Sequence, residues 1–124
     1  MARILVIDDE PAFADFAKIL LETMGHSVVL CMESKNAFET ALQCKPDLVI
    51  TDMNMPDADG LELIAQFKKD PRLAALPIFL ASASTDDRHR ALALRAGAIY
   101  SIVKPLQKDI LKALIEKLVP PTGG

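Results

Sequence analysis

This sequence of 124 residues predicts an α/β fold, a doubly wound five-stranded parallel sheet. Two observations predict it. Five short apolar runs, Ile4–Ile7, Val28–Leu30, Leu48–Ile50, Ile78–Leu80 and Ile99–Val103, recur at intervals of roughly 20 to 30 residues. Four are unbroken and rich in Val and Ile, the pattern of strands covered on both faces; Tyr100 and Ser101 interrupt the fifth, which suits a sheet edge. Helical periodicity fills each gap and follows the last run. This (βα)5 alternation places helices on both faces of the sheet. Right-handed crossovers at this length favour the strand order 2-1-3-4-5.

The first helix opens at Pro11, whose fixed φ suits a first turn. Phe13, Phe16, Ala17, Leu20, Leu21 and Met24 step along one face before Gly25 and His26 end it. A shorter stripe, Ala37, Phe38, Ala41 and Leu42, is opened by Ser34 as the expected N-cap. Leu61, Ile64, Ala65 and Lys68 carry the third helix, which stops before Pro71. The fourth runs from about Asp86 to Ala96 and ends at Gly97, and Arg88, His89, Arg90 and Arg95 make it the least hydrophobic. Ile110, Leu111, Leu114, Ile115 and Leu118 form the fifth, closed by Pro120 and Pro121. One domain over residues 1–119 and a flexible tail over 120–124 are the expected organisation.

Composition narrows the function. At 51% hydrophobic and 25% charged, the chain is not intrinsically disordered. Fourteen Lys and Arg against 17 Asp and Glu leave a net charge of −3, which argues against a nucleic-acid footprint or a polybasic membrane surface. Cys31 and Cys44 match no paired metal spacing and read as reduced thiols of a cytoplasmic protein. No secretory apolar run precedes Asp8, and no stretch approaches the ~18 apolar residues of a membrane span.

In an open parallel sheet, ligands sit beyond the carboxyl ends of the strands, where the strand order reverses. In the flavodoxin-like order 2-1-3-4-5 that point lies between strands one and three. The first strand runs into Asp8, Asp9 and Glu10, and the third delivers Asp52, so three aspartates converge on one crevice. Like charges this close raise each other's pKa unless a cation neutralises them. A hard divalent ion with oxygen ligands and retained waters, Mg2+, is the economical solution. Read singly, each acid could instead cap a helix. The same acids would repel a flavin phosphate, and neither GxGxxG nor a Walker A run is present. Ser82 follows the fourth run, and Lys104 follows the fifth, just before Pro105. Alone they read as a helix cap and a solvated lysine. Beside an acidic metal site, a hydroxyl and an ammonium can hold phosphoryl oxygens. The set suggests an aspartyl-phosphate site with Asp52 as nucleophile.

Four segments at the ends of the expected strands carry a resemblance: ILVIDDEP at 4–11, LVITDMNMPDADGLEL at 48–63, PIFLASAS at 77–84 and GAIYSIVKP at 97–105. Over about residues 2–119 the chain resembles the receiver domain of CheY-like response regulators in two-component signal transduction. The resemblance implies that Asp52 accepts a phosphoryl group from the phosphohistidine of a sensor histidine kinase or phosphotransfer protein, with slow hydrolysis afterwards. It implies Asp9 as the direct Mg2+ ligand, Asp8 acting through water, and Asn54 lending its backbone carbonyl. Ser82 and Lys104 would bind the phosphoryl group, Lys104–Pro105 would be cis, and Gly60 would need positive φ. Asn54 and Ser84 would tune the phosphate's lifetime. A downstream protein would dock on the face of helix four, strand five and helix five, with neither nucleic acid nor membrane as direct partner.

One position departs from the family. Three residues before the lysine the family usually has Tyr or Phe, and here it is Ser101. Tyr100 is one residue earlier and should point to the opposite sheet face. Switching is therefore expected through helix four and its loop, without an aromatic rotamer change. The cluster Arg88, His89, Arg90 and Arg95 reads as a solvated face or a docking aid, and His26 and His89 read as surface residues. Two rivals stay open: a small Mg2+-dependent phosphatase, and a receiver-like domain that only binds proteins. Asn54 stands where such phosphatases commonly carry a second aspartate, and the set Asp8, Asp9, Asp52, Ser82 and Lys104 is intact.

Overall fold

A computed structural model describes residues 2–55, 58–83 and 87–118. Pro56, Asp57, Ser84, Asp86, the prolines at 120 and 121 and the expected tail 120–124 lie outside the described residues. Five strands, β1 (Arg3–Ile7), β2 (Ser27–Cys31), β3 (Leu48–Asp52), β4 (Ile78–Ser82) and β5 (Tyr100–Val103), form one parallel sheet. Their order is β2-β1-β3-β4-β5, as the sequence predicts. Five helices alternate with them: α1 (Pro11–Thr23), α2 (Ala37–Cys44), α3 (Gly60–Lys69), α4 (Asp87–Ala96) and α5 (Lys108–Leu118).

Side chains alternate across a strand, so each of the inner strands feeds two layers. Ile4, Val6, Leu48, Ile50, Phe79 and Ala81 pack with Phe13, Ala17, Leu21, Leu111 and Ile115, beneath α1 and α5. Leu5, Ile7, Val49, Ile78 and Leu80 pack with Ala37, Ala41, Ile64, Phe67 and Ala93, beneath α2, α3 and α4. The register sets Ile7 beside Thr51, Asp52 beside Ala81, and Ser82 beside Val103. The residues that end these strands therefore share one edge of the sheet.

Several local expectations are corrected. Val28–Leu30 is only half-buried, because the strand order makes β2 an edge. Phe16 is 45% exposed, lying beyond the arc of α1 that meets the sheet. Ser34 does not cap α2: a 3-10 turn, Ser34–Asn36, intervenes, and the Ser34 hydroxyl is buried with no hydrogen-bond partner among the described residues. His26 is half-buried rather than at the surface, and its Nδ1 accepts the Ala2 N–H at 3.1 Å. Gly60 is required, but not for positive φ, which among the described glycines belongs to Gly25 and Gly97. Its N–H donates to the Met53 carbonyl at 2.8 Å, and a Cβ there would run into the Asp52 carbonyl oxygen. Close backbone approach, not handedness, demands the glycine.

A short antiparallel ladder after β3, Asn54–Met55 against Ala58–Asp59, was not legible in the sequence. Among the described residues no helix is long and apolar enough to cross a membrane.

Candidate functional site

β1 carries the chain into the crevice and stops at Asp8, whose N–H donates to the Cys31 carbonyl at 3.1 Å. Asp8 is fully buried. Its Oδ1 accepts the Glu10 N–H at 2.9 Å, which turns the chain into α1. The helix-capping role open to these acids is not taken up: α1 has no side-chain cap hydrogen bond, and the Asp8 contact is to Glu10, ahead of the helix, and occupies one oxygen only. The other, Oδ2, accepts from Lys104 Nζ at 2.9 Å. A buried carboxylate without a cation would carry a large desolvation cost, so this pairing is what lets Asp8 stay inside.

Asp52 ends β3 in the same crevice, 9% exposed, and its Oδ1 lies 3.0 Å from Lys104 Nζ. Asp9, half-exposed, completes the set: Asp8, Asp9 and Asp52 each offer an oxygen, and all three oxygens lie within 4.8 Å of one another. Burial pushes the Asp52 carboxyl above its ordinary pKa and the Asp8 charge adds to that, while the Lys104 hydrogen bond pulls it back. Burial alone would lower the Lys104 ammonium, but hydrogen bonds to Asp8 and Asp52 and their charges outweigh it and raise its pKa.

Lys104 follows β5, and its N–H donates to the Ser82 carbonyl at 2.8 Å. That bond ties the end of β5 to the end of β4, where Ser82 is 4% exposed. The Lys104–Pro105 peptide is cis. Asn54 lies two residues beyond Asp52 and pairs with Asp59 in the short ladder. All five side chains picked for the site, Asp8, Asp9, Asp52, Ser82 and Lys104, therefore end neighbouring strands at one sheet edge, and ion pairs or carboxylate proximity join four of them directly.

Three carboxylates and one ammonium leave an excess of negative charge inside a few ångströms. Hard anionic oxygens at this spacing fit a small divalent cation such as Mg2+, and nothing in the set offers sulfur or imidazole for a softer metal. Sequence reasoning missed one member: the Phe13 ring lies under the Lys104 ammonium, 4.2 Å from Nζ to the ring centre. Helical spacing marks Phe13 only as core, and nothing local connects it with residue 104.

The sequence model of the response regulator receiver domain matches residues 4–116. The chain belongs to that family. Protein PilH of Pseudomonas aeruginosa is 29% identical over 119 residues, covering 96% of this chain and 98% of that protein. The regulator RpaA of Synechocystis, named as DNA-binding, is 30% identical over 96% of this chain but only 49% of its own length. A receiver domain structure from Clostridium thermocellum is 30% identical with a TM-score of 0.86, over 96% of this chain and 94% of that one. The chemotaxis regulator CheY4 of Vibrio cholerae shares the fold at 23% identity, with a TM-score of 0.87 over 96% of this chain and 99% of its own. Receiver domains are the phosphoacceptor signalling domains of two-component systems, acting between histidine kinases or phosphotransfer proteins and downstream targets.

Tyr100, the first residue of β5, is equally informative. Tyr100 packs edge-to-face on Phe79, ring centres 5.5 Å apart, in the layer beneath α1 and α5. Strand alternation therefore carries Ser101 toward α4 and Tyr100 away from it, as the sequence leads one to expect.

Proposed function

We propose that this receiver takes a phosphoryl group on Asp52 from the phosphohistidine of a sensor histidine kinase or phosphotransfer protein, and thereby switches a partner-binding surface. The observation that carries this reading is one ammonium, Lys104 Nζ, bonded at once to Asp8 at 2.9 Å and Asp52 at 3.0 Å in a crevice with a third acid, Asp9. In the step, an Asp52 oxygen forms a bond to phosphorus while the donor's nitrogen–phosphorus bond breaks, and that electron pair stays on the imidazole. Lys104 supplies positive charge to the phosphoryl oxygens, and the Ser82 hydroxyl, from the adjacent strand end, donates to another. Asp8, Asp9 and Asp52, with the Asn54 backbone carbonyl, would hold Mg2+, which when bound offsets charge on the carboxylates and the phosphoryl group.

The output face proposed is that of α4, β5 and α5. Leu94, Ile99, Val103 and Ile110 are exposed there around a groove of about 550 Å3, with Arg90 at its rim. The setting proposed is the cytoplasm, where the free thiols Cys31 and Cys44 stay reduced.

Incubation with acetyl phosphate and Mg2+ followed by intact mass tests the reading. A gain of about 80 Da is expected, absent in Asp52→Asn. No gain from acetyl phosphate or from a phosphorylated kinase overturns it, and rapid turnover of an external phosphomonoester would favour the phosphatase rival.

A further inference from the structure

An ammonium has three N–H donors. For Lys104 the carboxylates of Asp8 and Asp52 take two, at 2.9 and 3.0 Å. On a further side lies Phe13, from the first turn of α1, its ring centre 4.2 Å from Nζ. Phe13 is 7% exposed, and the Lys104 side chain 19%. The contact is therefore largely dry, where attraction between a cation and the negative face of a ring is strongest.

We propose that Phe13 is a positioning residue for phosphoryl transfer, its ring holding the Lys104 ammonium at the crevice independently of the carboxylates. This rests on Asp52 being the phosphoacceptor. The carboxylates are unreliable anchors for the lysine during that reaction. Asp52 loses its carboxylate charge as the acyl phosphate forms, so the ammonium must shift from that carboxylate to the incoming phosphoryl oxygens. Asp8 oxygens shared with a divalent ion also hold an ammonium less strongly. A lysine tethered by these two alone would make that shift on a flexible four-carbon stem, with rotamer entropy to lose again. The ring is neutral, competes for no metal and is unchanged by the chemistry. Leu or Met could fill the same volume but would offer no negative face.

The test replaces Phe13 with 4-fluoro-, 3,5-difluoro- and pentafluorophenylalanine, near-isosteric rings of progressively weaker face, together with Phe13→Tyr and Phe13→Leu. Three readouts are taken: the rate of mass gain from acetyl phosphate, Mg2+ affinity, and the NMR shift of the Lys104 ε-methylene in metal-free protein. The rate should fall stepwise with fluorination, and roughly two- to thirty-fold in Phe13→Leu. Phe13→Tyr should keep it, and Mg2+ affinity should hold throughout. The ε-methylene should show a ring-current displacement that disappears in Phe13→Leu. Equal rates across a folded fluorinated series overturn the inference alone. A parent chain that gains no mass overturns the phosphoacceptor reading and this inference with it.

Discussion

The two edges of the sheet handle charge in opposite ways. At the amino edge Arg3, Asp47 and His26 each meet a backbone partner. The Asp47 carboxylate accepts the Arg3 N–H at 2.8 Å, the Arg3 guanidinium donates to the Cys44 carbonyl at 2.7 Å, and His26 accepts from Ala2 at 3.1 Å. At the carboxyl edge three carboxylates cluster, one lysine bridges two of them, and those two are nearly or wholly buried. The amino edge is closed by its own hydrogen bonds. The carboxyl edge balances only when something positive is added. One sheet thus has a closed end and an end with excess negative charge, and the distinction lies in charge balance rather than in fold.

The hardest blow to that contrast is Lys104→Met. With no cation between Asp8 and Asp52, metal-free stability should drop by about 3 kcal/mol, the scale for breaking a buried pair from one side. Added Mg2+ should recover more stability in this variant than in the parent. If urea unfolding shows neither the drop nor the larger recovery, the carboxyl edge is not short of positive charge.

Mg2+ itself comes next. At about a hundred times its dissociation constant, a ligand that binds only the folded chain adds about 2.7 kcal/mol. Chelation should remove that increment, and Asp9→Asn should weaken it, since Asp9 is the half-exposed member of the trio. Thermal melts unaffected by Mg2+ would break the claim. At the amino edge, Asp47→Ala should cost only about 1 kcal/mol, one hydrogen bond, and that loss should be the same with and without Mg2+. A metal-dependent loss there would mean the two ends are coupled.

How much of this could be read from the residues follows the same division. β1, β3 and β4 are legible because both their faces are covered and their inner positions must be apolar. The acids at their ends are legible because a parallel sheet delivers all carboxyl ends to one edge. What the sequence hides is whatever depends on contacts between distant segments. The 3-10 turn at Ser34–Asn36 and the ladder after Asp52 leave no periodic trace in two or three residues. Gly60 reads as a turn glycine, whereas its reason is the Asp52 carbonyl pressed against it. Phe13 reads as core until α1 is docked and its ring meets Lys104.

The smallest expected effect concerns His26, and it tests whether the amino edge is closed at all pH. Its Nδ1 must be unprotonated to accept the Ala2 N–H. Burial lowers its pKa below the ordinary 6.5, and the positive amino terminus lowers it further. Between the lowered folded value and 6.5 the unfolded chain binds more protons, so stability rises with pH across that window. The contribution is whole above 6.5 and is lost as pH falls through the folded value. Its size should be no more than about 1 kcal/mol, one hydrogen bond. Other titrating side chains affect both proteins alike, so the informative quantity is the stability difference between the parent and His26→Gln. That difference should shrink from pH 8 to pH 5, because Gln accepts without titrating. Parallel curves would show that His26 is no acceptor in solution, and that this end of the sheet, too, has a polar group waiting for a partner.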